Sequence, residues 1–180
     1  LLIELQPPSD LQVDSIVTGG SVKSGDPLHV SWTVSNHGAE PAAGSWTDAV
    51  YLSTDAVWDI GDRLLGRVDH NGTLTSTQAY TSSLEARVPP LAEGQYRVIV
   101  RTDIYNQVFE GAEEANNRAA SPDPLTVSVE ELHLGVAQNT ALDTGQTRVF
   151  RIAVGPDETL RVRLTSPAAD GANEVFLRYG

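Results

Sequence analysis

A strict two-residue alternation of apolar and polar side chains is the sequence feature that most limits how this chain can fold. In residues 28–35 the apolar side chains of Leu28, Val30, Trp32 and Val34 alternate with polar ones. Successive side chains of a β-strand point to opposite faces, so this segment is predicted to be a strand with Trp32 in a core. Similar segments recur between clusters of Gly, Pro, Asn and Asp, and no segment has a convincing helical period. The sequence therefore predicts an all-β protein.

Seven such segments lie between residues 10 and 130, which is the number expected of an immunoglobulin-like β-sandwich. The predicted strands cover residues 11–17, 28–35, 46–52, 64–68, 80–88, 96–102 and 125–130. Ile99 breaks the alternation of its strand, so its side chain is expected to face a neighbouring element. We therefore expect a seven-stranded immunoglobulin-like β-sandwich over residues 10–130.

The two ends of the chain are predicted to lie outside this sandwich. Residues 1–9 are interpreted as the end of a preceding domain and a stiff linker, because Pro7 and Pro8 disfavour both helix and sheet ladder. In residues 131–180, alternating apolar positions around 150–154, 160–164 and 175–179 predict the N-terminal part of a second β-sandwich. About fifty residues form too small a core to bury both faces alone, so we expect this second domain to be truncated.

Charge and composition argue against several classes of function. The chain has 12 basic and 24 acidic residues, a net charge of −12, which disfavours nucleic acid and anionic lipid as partners. It has no cysteine for a disulfide, a thiolate zinc site or a cysteine nucleophile. The apolar runs are too short for a transmembrane helix, and the four scattered histidines suggest no zinc hydrolase. Because no nucleophile elbow or phosphate loop is present either, we expect no enzymatic activity.

Two acidic loops are candidate ligands for a calcium ion. The first contains Asp55, Asp59 and Asp62, with Gly61 permitting a sharp turn. The second loop follows the predicted strand 96–102. Its oxygen ligands are Asp103, Asn106, Glu110, Glu114 and Asn117. If the two preceding strands are neighbours in one sheet, we expect both loops at the same end of the sandwich, sharing one calcium ion. The alternative is that these residues form solvated turns that need no metal.

Two further features are assigned no binding function. Trp46 and Trp58 could form a platform for a sugar, but a Trp beside a strand more often packs at the sandwich edge. Asn71-Gly72-Thr73 matches a glycosylation sequon, but Asn-Gly between two strands indicates a hairpin first.

Several segments and single residues occur together in a specific order and spacing. They are residues 31–38, residues 48–55 with Asp59 and Asp62, residues 64–66, and Glu110, Glu114, Asn116 and Asn117. In these features residues 10–130 resemble the CARDB family, the cell-adhesion-related domain of bacteria. The resemblance implies an immunoglobulin-like fold, no enzymatic activity, and an adhesive or spacer role in secreted or surface-attached proteins of bacteria and archaea. Its signature positions are Trp32, Asn36, Gly38, Tyr51, Ser53, Asp55, Asp59, Asp62, Gly66, Asp103, Asn106, Glu110, Glu114, Asn116 and Asn117.

Residues 131–180 more faintly resemble the opening of the bacterial pre-peptidase C-terminal domain, a jelly-roll-like β-sandwich. Together these observations predict an extracellular or cell-surface, non-enzymatic adhesion module of a bacterial multidomain protein, with loops made rigid by calcium. Its expected partners are the neighbouring domains of the same chain, with a cell-surface protein or glycan as a further candidate. The alternative is a carbohydrate- or peptide-binding accessory domain of a secreted enzyme.

Overall fold

The structure, a computed structural model of the protein, describes residues 8–166 and 173–178. These residues form eleven β-strands and no α-helix, which confirms the all-β prediction. The strands are β1 (Leu11–Thr18), β2 (Ser21–Lys23), β3 (Pro27–Asn36), β4 (Ala42–Ser53), β5 (Arg63–Leu74), β6 (Ala79–Arg87), β7 (Gly94–Arg101), β8 (Arg118–Ala120), β9 (Leu125–Ser128), β10 (Glu130–Leu132) and β11 (Phe150–Ile152). Each of the seven predicted segments overlaps at least one of these strands, whereas the short strands β2 and β8 were not predicted. The described ranges contain no helix that is long and apolar enough to cross a membrane.

Two sheets face each other in the manner of an immunoglobulin-like sandwich. The first sheet has the strand order β1-β3-β6, and both of its strand pairs are antiparallel. The second sheet has the order β2-β9-β7-β4-β5, and β8 pairs with β7 beside β9. In this second sheet the long strands β4 and β5 form an antiparallel pair, and β4 is also antiparallel to β7.

The core between the sheets is built from the inward face of the alternating segments. Leu28, Val30, Trp32 and Val34 are all at most 4% exposed, as the alternation in β3 predicts. Burying a side chain of this size stabilises the fold by about 1.5–3 kcal/mol. A one-residue slip of register would move all four side chains to the opposite face, so the core fixes the pairing of β3 with its neighbours.

A second, smaller apolar cluster lies on the outer face of the sheet, over β4 and β7. Ala49, Tyr51 and Ile99 are its buried members, and partly buried apolar residues cover them. The covering residues are Trp58, Ile104 and Ala120. Ile99 therefore faces neighbouring elements, which explains its break in the alternation, and the cluster holds the segments that follow β4 and β7 against the sheet.

The part of the chain after the sandwich contains fewer strands than expected. β10 pairs in parallel with β11, but the described residues 160–164 and 175–178 form no strand, contrary to the prediction. Alternation identifies side chains that suit a sheet, but a strand also needs a neighbour for its backbone groups. The described residues offer these two segments no strand to pair with. Residues 1–7, 167–172 and 179–180 lie outside the described residues, so the division into 1–9, 10–130 and 131–180 stays a prediction.

Candidate cation site

The loop of residues 102–117, here called the acidic loop, follows β7 and is organised by the side chain of Asp103. The two carboxylate oxygens of Asp103 accept backbone hydrogen bonds from Gln107 N at 2.8 Å and Val108 N at 2.7 Å. Asp103 and Asn106 have left-handed backbone conformations, with φ of 44° and 51°, which Asp and Asn tolerate better than most residues. The loop sequence therefore directs its own path and buries the Asp103 carboxylate.

Glu110 joins the acidic loop to the first strand of the sandwich. Its Oε2 accepts a hydrogen bond from Leu11 N at 2.8 Å, and its Oε1 accepts one from Asn117 Nδ2 at 3.0 Å. The Glu110 side chain is fully buried. Burial, reinforced by the charges of Glu114 and Asp103 and opposed by these two hydrogen bonds, raises the pKa of the Glu110 carboxyl to about 7. The ionised form is thus costly at this position unless a cation compensates it.

Three carboxylates of the acidic loop converge. One oxygen atom from each of Asp103, Glu110 and Glu114 lies within 4.8 Å of the other two. Glu114 is held in place by Glu110, whose backbone N donates a hydrogen bond to Glu114 Oε1 at 3.0 Å. Like charges this close repel, so the arrangement favours either protonation or a bound cation.

Several oxygen atoms in this region are buried without a hydrogen-bond donor. Among the described residues, Glu114 Oε2, Asn116 Oδ1 and Asn117 Oδ1 have no hydrogen-bond partner. Asn117 is only 6% exposed, and it lines a cavity of about 80 Å³ together with Asp103, Asn106 and Glu114. Buried acceptors in native proteins are nearly always satisfied, and an oxygen-only ligand set is the kind that Ca²⁺ takes. These residues therefore fit a hard divalent cation.

Two arginines near the cluster do not neutralise it by direct ion pairs. Arg101 and Arg118 line the same cavity, but neither lies within 4.0 Å of a carboxylate among the described residues. The Arg101 guanidinium instead lies over the Trp58 ring, 3.9 Å from its centroid. This cation–π contact directs the arginine toward the outer face of the sheet rather than toward the carboxylates.

The three aspartates of the first loop stabilise local turns instead of joining the cluster. Asp55 Oδ1 accepts from Val57 N at 2.7 Å, and Asp59 Oδ1 accepts from Gly61 N at 2.6 Å. Asp62 Oδ2 accepts from Asp59 N at 2.9 Å. Asp55 and Asp59 are exposed and Asp62 is half-buried. These contacts are those of solvated side-chain-to-backbone turns, which was the alternative interpretation of this loop.

The expectation that both loops leave the sandwich at the same end is wrong. β4 and β7 are neighbours, as predicted, but they are antiparallel, with Ser53 opposite Arg97 and Ala49 opposite Arg101. The chain therefore leaves β4 at one end of the sheet and leaves β7 at the other. The structure brings together Asp103, Asn106, Glu110, Glu114 and Asn117, and it does not bring Asp55, Asp59 or Asp62 into their cluster.

Both tryptophans considered as sugar platforms are packed against protein. Trp46 is fully buried, and its Nε1 donates to Tyr80 Oη at 3.0 Å. Trp58 is partly buried, with its ring edge-on to Tyr51 at 5.9 Å and covered by Arg101. The packing interpretation of these two residues agrees with the structure.

Sequence reasoning missed the polar contacts that hold the N-terminal part of the sandwich beside the acidic loop. Asn36 is fully buried, and its Oδ1 accepts from Asp10 N and Gly38 N, both at 3.0 Å. Asn116 Nδ2 donates to Asp10 Oδ1 at 3.0 Å. A Cβ at Gly38 would overlap the Pro8 carbonyl oxygen, so only glycine fits there. The resemblance pointed to Asn36, Gly38 and Asn116, but not to these contacts.

A buried carboxylate between the two sheets was also missed. Asp48, on β4, is 1% exposed and accepts hydrogen bonds from Trp32 Nε1 at 2.7 Å, Tyr80 Oη at 2.8 Å and Thr102 Oγ1 at 2.7 Å. The signal for it was present, because Asp48 has the same strand parity as Trp46 and Val50, both of which face the core. An aspartate at an inward position predicts buried donors around it.

The fold and the acidic loop define an immunoglobulin-like β-sandwich module with an oxygen-rich cluster at one end. The CARDB family profile matches residues 8–121, and this chain belongs to the CARDB family. CARDB is not a known catalytic domain, and it occurs as one domain within multidomain proteins. A search of curated proteins found no match.

Solved structures of similar fold include other CARDB domains. The crystal structure of the CARDB domain of the PF1109 protein from Pyrococcus furiosus, in complex with di-metal ions, is 20% identical with a TM-score of 0.50. The match covers 71% of this chain and 95% of that chain. A solution NMR structure of the same domain is 22% identical, with a TM-score of 0.48 over 68% of this chain and 97% of that one. A β-glucosidase from Erythrobacter marinus is 13% identical, with a TM-score of 0.45 over 67% of this chain and 16% of that one. At this identity the first likeness shows the fold alone.

Proposed function

We propose that this protein is a non-enzymatic structural and adhesion module of an extracellular multidomain protein, and that bound calcium makes its acidic loop rigid. The observation that carries the proposal is the convergence of the Asp103, Glu110 and Glu114 carboxylates beside the unpaired buried Oδ1 of Asn117. Three negative charges with no direct ion pair among the described residues need a cation more than they need a substrate.

The chemistry of the ligands favours calcium over softer metals. The converging atoms are carboxylate and amide oxygens, and the chain contains no cysteine. Zinc and copper prefer imidazole or thiolate ligands, whereas Ca²⁺ takes six to eight oxygens in flexible geometry. A CARDB domain from Pyrococcus furiosus in complex with di-metal ions is in keeping with a metal-binding role for this family.

The effect of the ion would be to hold the acidic loop against the sandwich. Asp103 directs the turn after β7, and Glu110 binds Leu11 N at the start of β1. Bound calcium supplies the positive charge that lets the Glu110 carboxylate, whose pKa is raised to about 7, stay ionised at neutral pH. An ion that binds only the folded state stabilises it by about 2.7 kcal/mol at a free concentration of 100 times the dissociation constant.

Thermal unfolding with and without calcium tests this proposal. Saturating calcium should raise the melting temperature by roughly 10 °C relative to chelator. Glu114→Gln should abolish most of that shift, because it removes one charged ligand from a half-buried position without changing its size. The matched control is Glu113→Gln, since Glu113 is adjacent and exposed and lies outside the converging group.

Two results would contradict the proposal. One is a wild-type melting temperature that is the same in calcium and in chelator. The other is a full calcium shift in the Glu114→Gln variant. Isothermal titration of calcium into the full chain gives the binding stoichiometry directly, and a value of zero would contradict the proposal as well.

A further inference from the structure

The end of the sandwich at which β7 begins makes charged contacts with the segment that follows it. Arg148 Nη2 donates a hydrogen bond at 2.7 Å to Oδ1 of Asp26, the residue immediately before β3. Arg151 Nη1 donates a hydrogen bond at 2.9 Å to Oε2 of Glu93, the residue immediately before β7. We call the sandwich side of these contacts, residues 25–26, 87–90 and 93, the joint surface. It lies at the opposite end of β7 from the acidic loop.

Glu93 connects two parts of this joint at once. Its Oε1 accepts from Val129 N at 3.3 Å, while its Oε2 accepts from Arg151. Val129, which is 9% exposed, is the single residue between β9 and β10. β10 then pairs in parallel with β11, which contains Arg151, and Arg151 Nη2 also donates to Glu131 Oε2 at 2.9 Å. The chain therefore passes from the sandwich into the next sheet without a flexible linker.

Charge, rather than apolar packing, holds this joint together. A cavity of about 150 Å³ lies between the joint surface and the segment, lined by Val88 and Pro89 on one side and by Leu142 and Thr147 on the other. A contact with a cavity of this size gains little from dispersion. The Arg148–Asp26 pair is the less exposed one, with side chains 24% and 36% exposed, so solvent weakens it less than the Arg151–Glu93 pair.

We propose that the joint surface is an acidic docking site that holds the following segment of the chain in one fixed orientation. The segment that it holds presents two arginines, Arg148 just before β11 and Arg151 within it. Asp26 and Glu93 receive these arginines, and the single residue Val129 between β9 and β10 leaves little length for the two parts to rotate about. The sandwich and the segment that follows it thus keep a fixed relative orientation, as they would not if a flexible linker joined them. This inference does not depend on the cation site, which lies at the other end of β7.

Distance measurements between two spin labels test the fixed orientation in the full chain. The chain has no cysteine, so Ser83→Cys on the sandwich and Thr159→Cys in the following segment introduce the only two labelling positions. Both residues are exposed. Double electron–electron resonance should give one narrow distance distribution for this protein. Adding Arg148→Glu and Arg151→Glu should broaden that distribution at least twofold, because both pairs across the joint become repulsive, as does the Arg151–Glu131 pair within the segment.

Two further variants show whether a broader distribution comes from breaking the joint contacts or from the change in net charge alone. Arg161→Glu with Arg163→Glu makes the same change in net charge, and neither arginine forms an ion pair with another described residue, so the distribution should stay narrow. Adding Asp26→Arg and Glu93→Arg to the reversed arginines restores attraction across the joint, though not to Glu131 within the segment, and should narrow the distribution again.

A broad distribution in the protein without charge changes would overturn the proposal. So would a distribution that stays narrow when Arg148 and Arg151 are reversed. The same measurement in calcium and in chelator should give equal widths, because the joint is independent of the acidic loop.

Discussion

Replacing Asp48 by alanine should cost a large part of the stability of this fold. Asp48 lies on the second sheet, and two of its three donors, Trp32 and Tyr80, lie on the first. The third donor is Thr102, directly after β7. The carboxylate is therefore a polar cross-link through an otherwise apolar core.

The magnitude follows from the donors that the alanine variant would leave unpaired. A buried donor that loses its acceptor costs about 1–3 kcal/mol. Trp32 Nε1 would lose its acceptor, whereas Tyr80 Oη and Thr102 Oγ1 lie 3.3 Å apart and can bond to each other. Replacing the two charge-assisted hydrogen bonds of Tyr80 and Thr102 by one neutral bond between them costs about 1–2 kcal/mol more. We therefore expect a loss of about 2–5 kcal/mol, out of a total that is about 5–15 kcal/mol for a typical domain.

Urea unfolding followed by tryptophan fluorescence measures this loss. With an m-value of about 1–3 kcal/mol per molar urea, the midpoint should fall by more than about 1 M while the m-value stays constant. Asp69→Ala is the matched control, because the exposed Asp69 carboxylate on the adjacent strand β5 accepts one hydrogen bond, from Thr47 Oγ1 at 2.8 Å. It should cost less than about 1 kcal/mol. A loss below about 1 kcal/mol for Asp48→Ala would refute the cross-link.

Two other predictions concern the acidic loop and the contact next to it. In chelator, stability should fall as the pH rises from about 5 to 8, by up to about 3 kcal/mol. The reason is that Glu110, with its pKa raised to about 7 from 4.5, contributes fully only below about 4.5 and loses that contribution through pH 7. Melting curves of Glu110→Gln should lack this pH dependence of stability. A variant whose stability falls with pH as steeply as that of the wild type would contradict the role of Glu110. Gly38→Ala should destabilise by about 1–3 kcal/mol, since the new Cβ would lie 2.6 Å from Ser9 Cα. Gly20→Ala, where a Cβ meets nothing within 4 Å, should be nearly neutral, and equal midpoints in urea for the two variants would argue against the close approach.

The alternation of side chains was enough to predict the sandwich because each strand carries that information locally. Val30 and Val34 are buried where the two-residue period places them, and Ile99 was recognised as an exception that needs a cover. The alternation within a strand does not show which other strand it pairs with. The alternation around residues 160–164 therefore indicated a strand for which the described residues provide no neighbour.

The candidate site was predicted only in part, because its contacts join distant parts of the chain. Leu11 N and Glu110 are 99 residues apart, and the sequence near either residue does not predict the hydrogen bond between them. The acidic composition of the loop after β7 did identify Asp103, Glu110 and Glu114. The error was to add the loop after β4, since adjacent antiparallel strands send their ends in opposite directions.

The positions of the first and last strands of the sandwich have a mechanical consequence. The chain reaches β1 beside the acidic loop, where Leu11 N is bound by Glu110, and it leaves β9 beside Glu93 at the far end of β7. A pull applied to the two sides would thus travel along the full length of the strands, and it would load their hydrogen bonds in shear. The carboxylate cluster lies where such a pull enters the sandwich and the arginine pairs lie where it leaves, so both polar features hold the strand ends that bear the load.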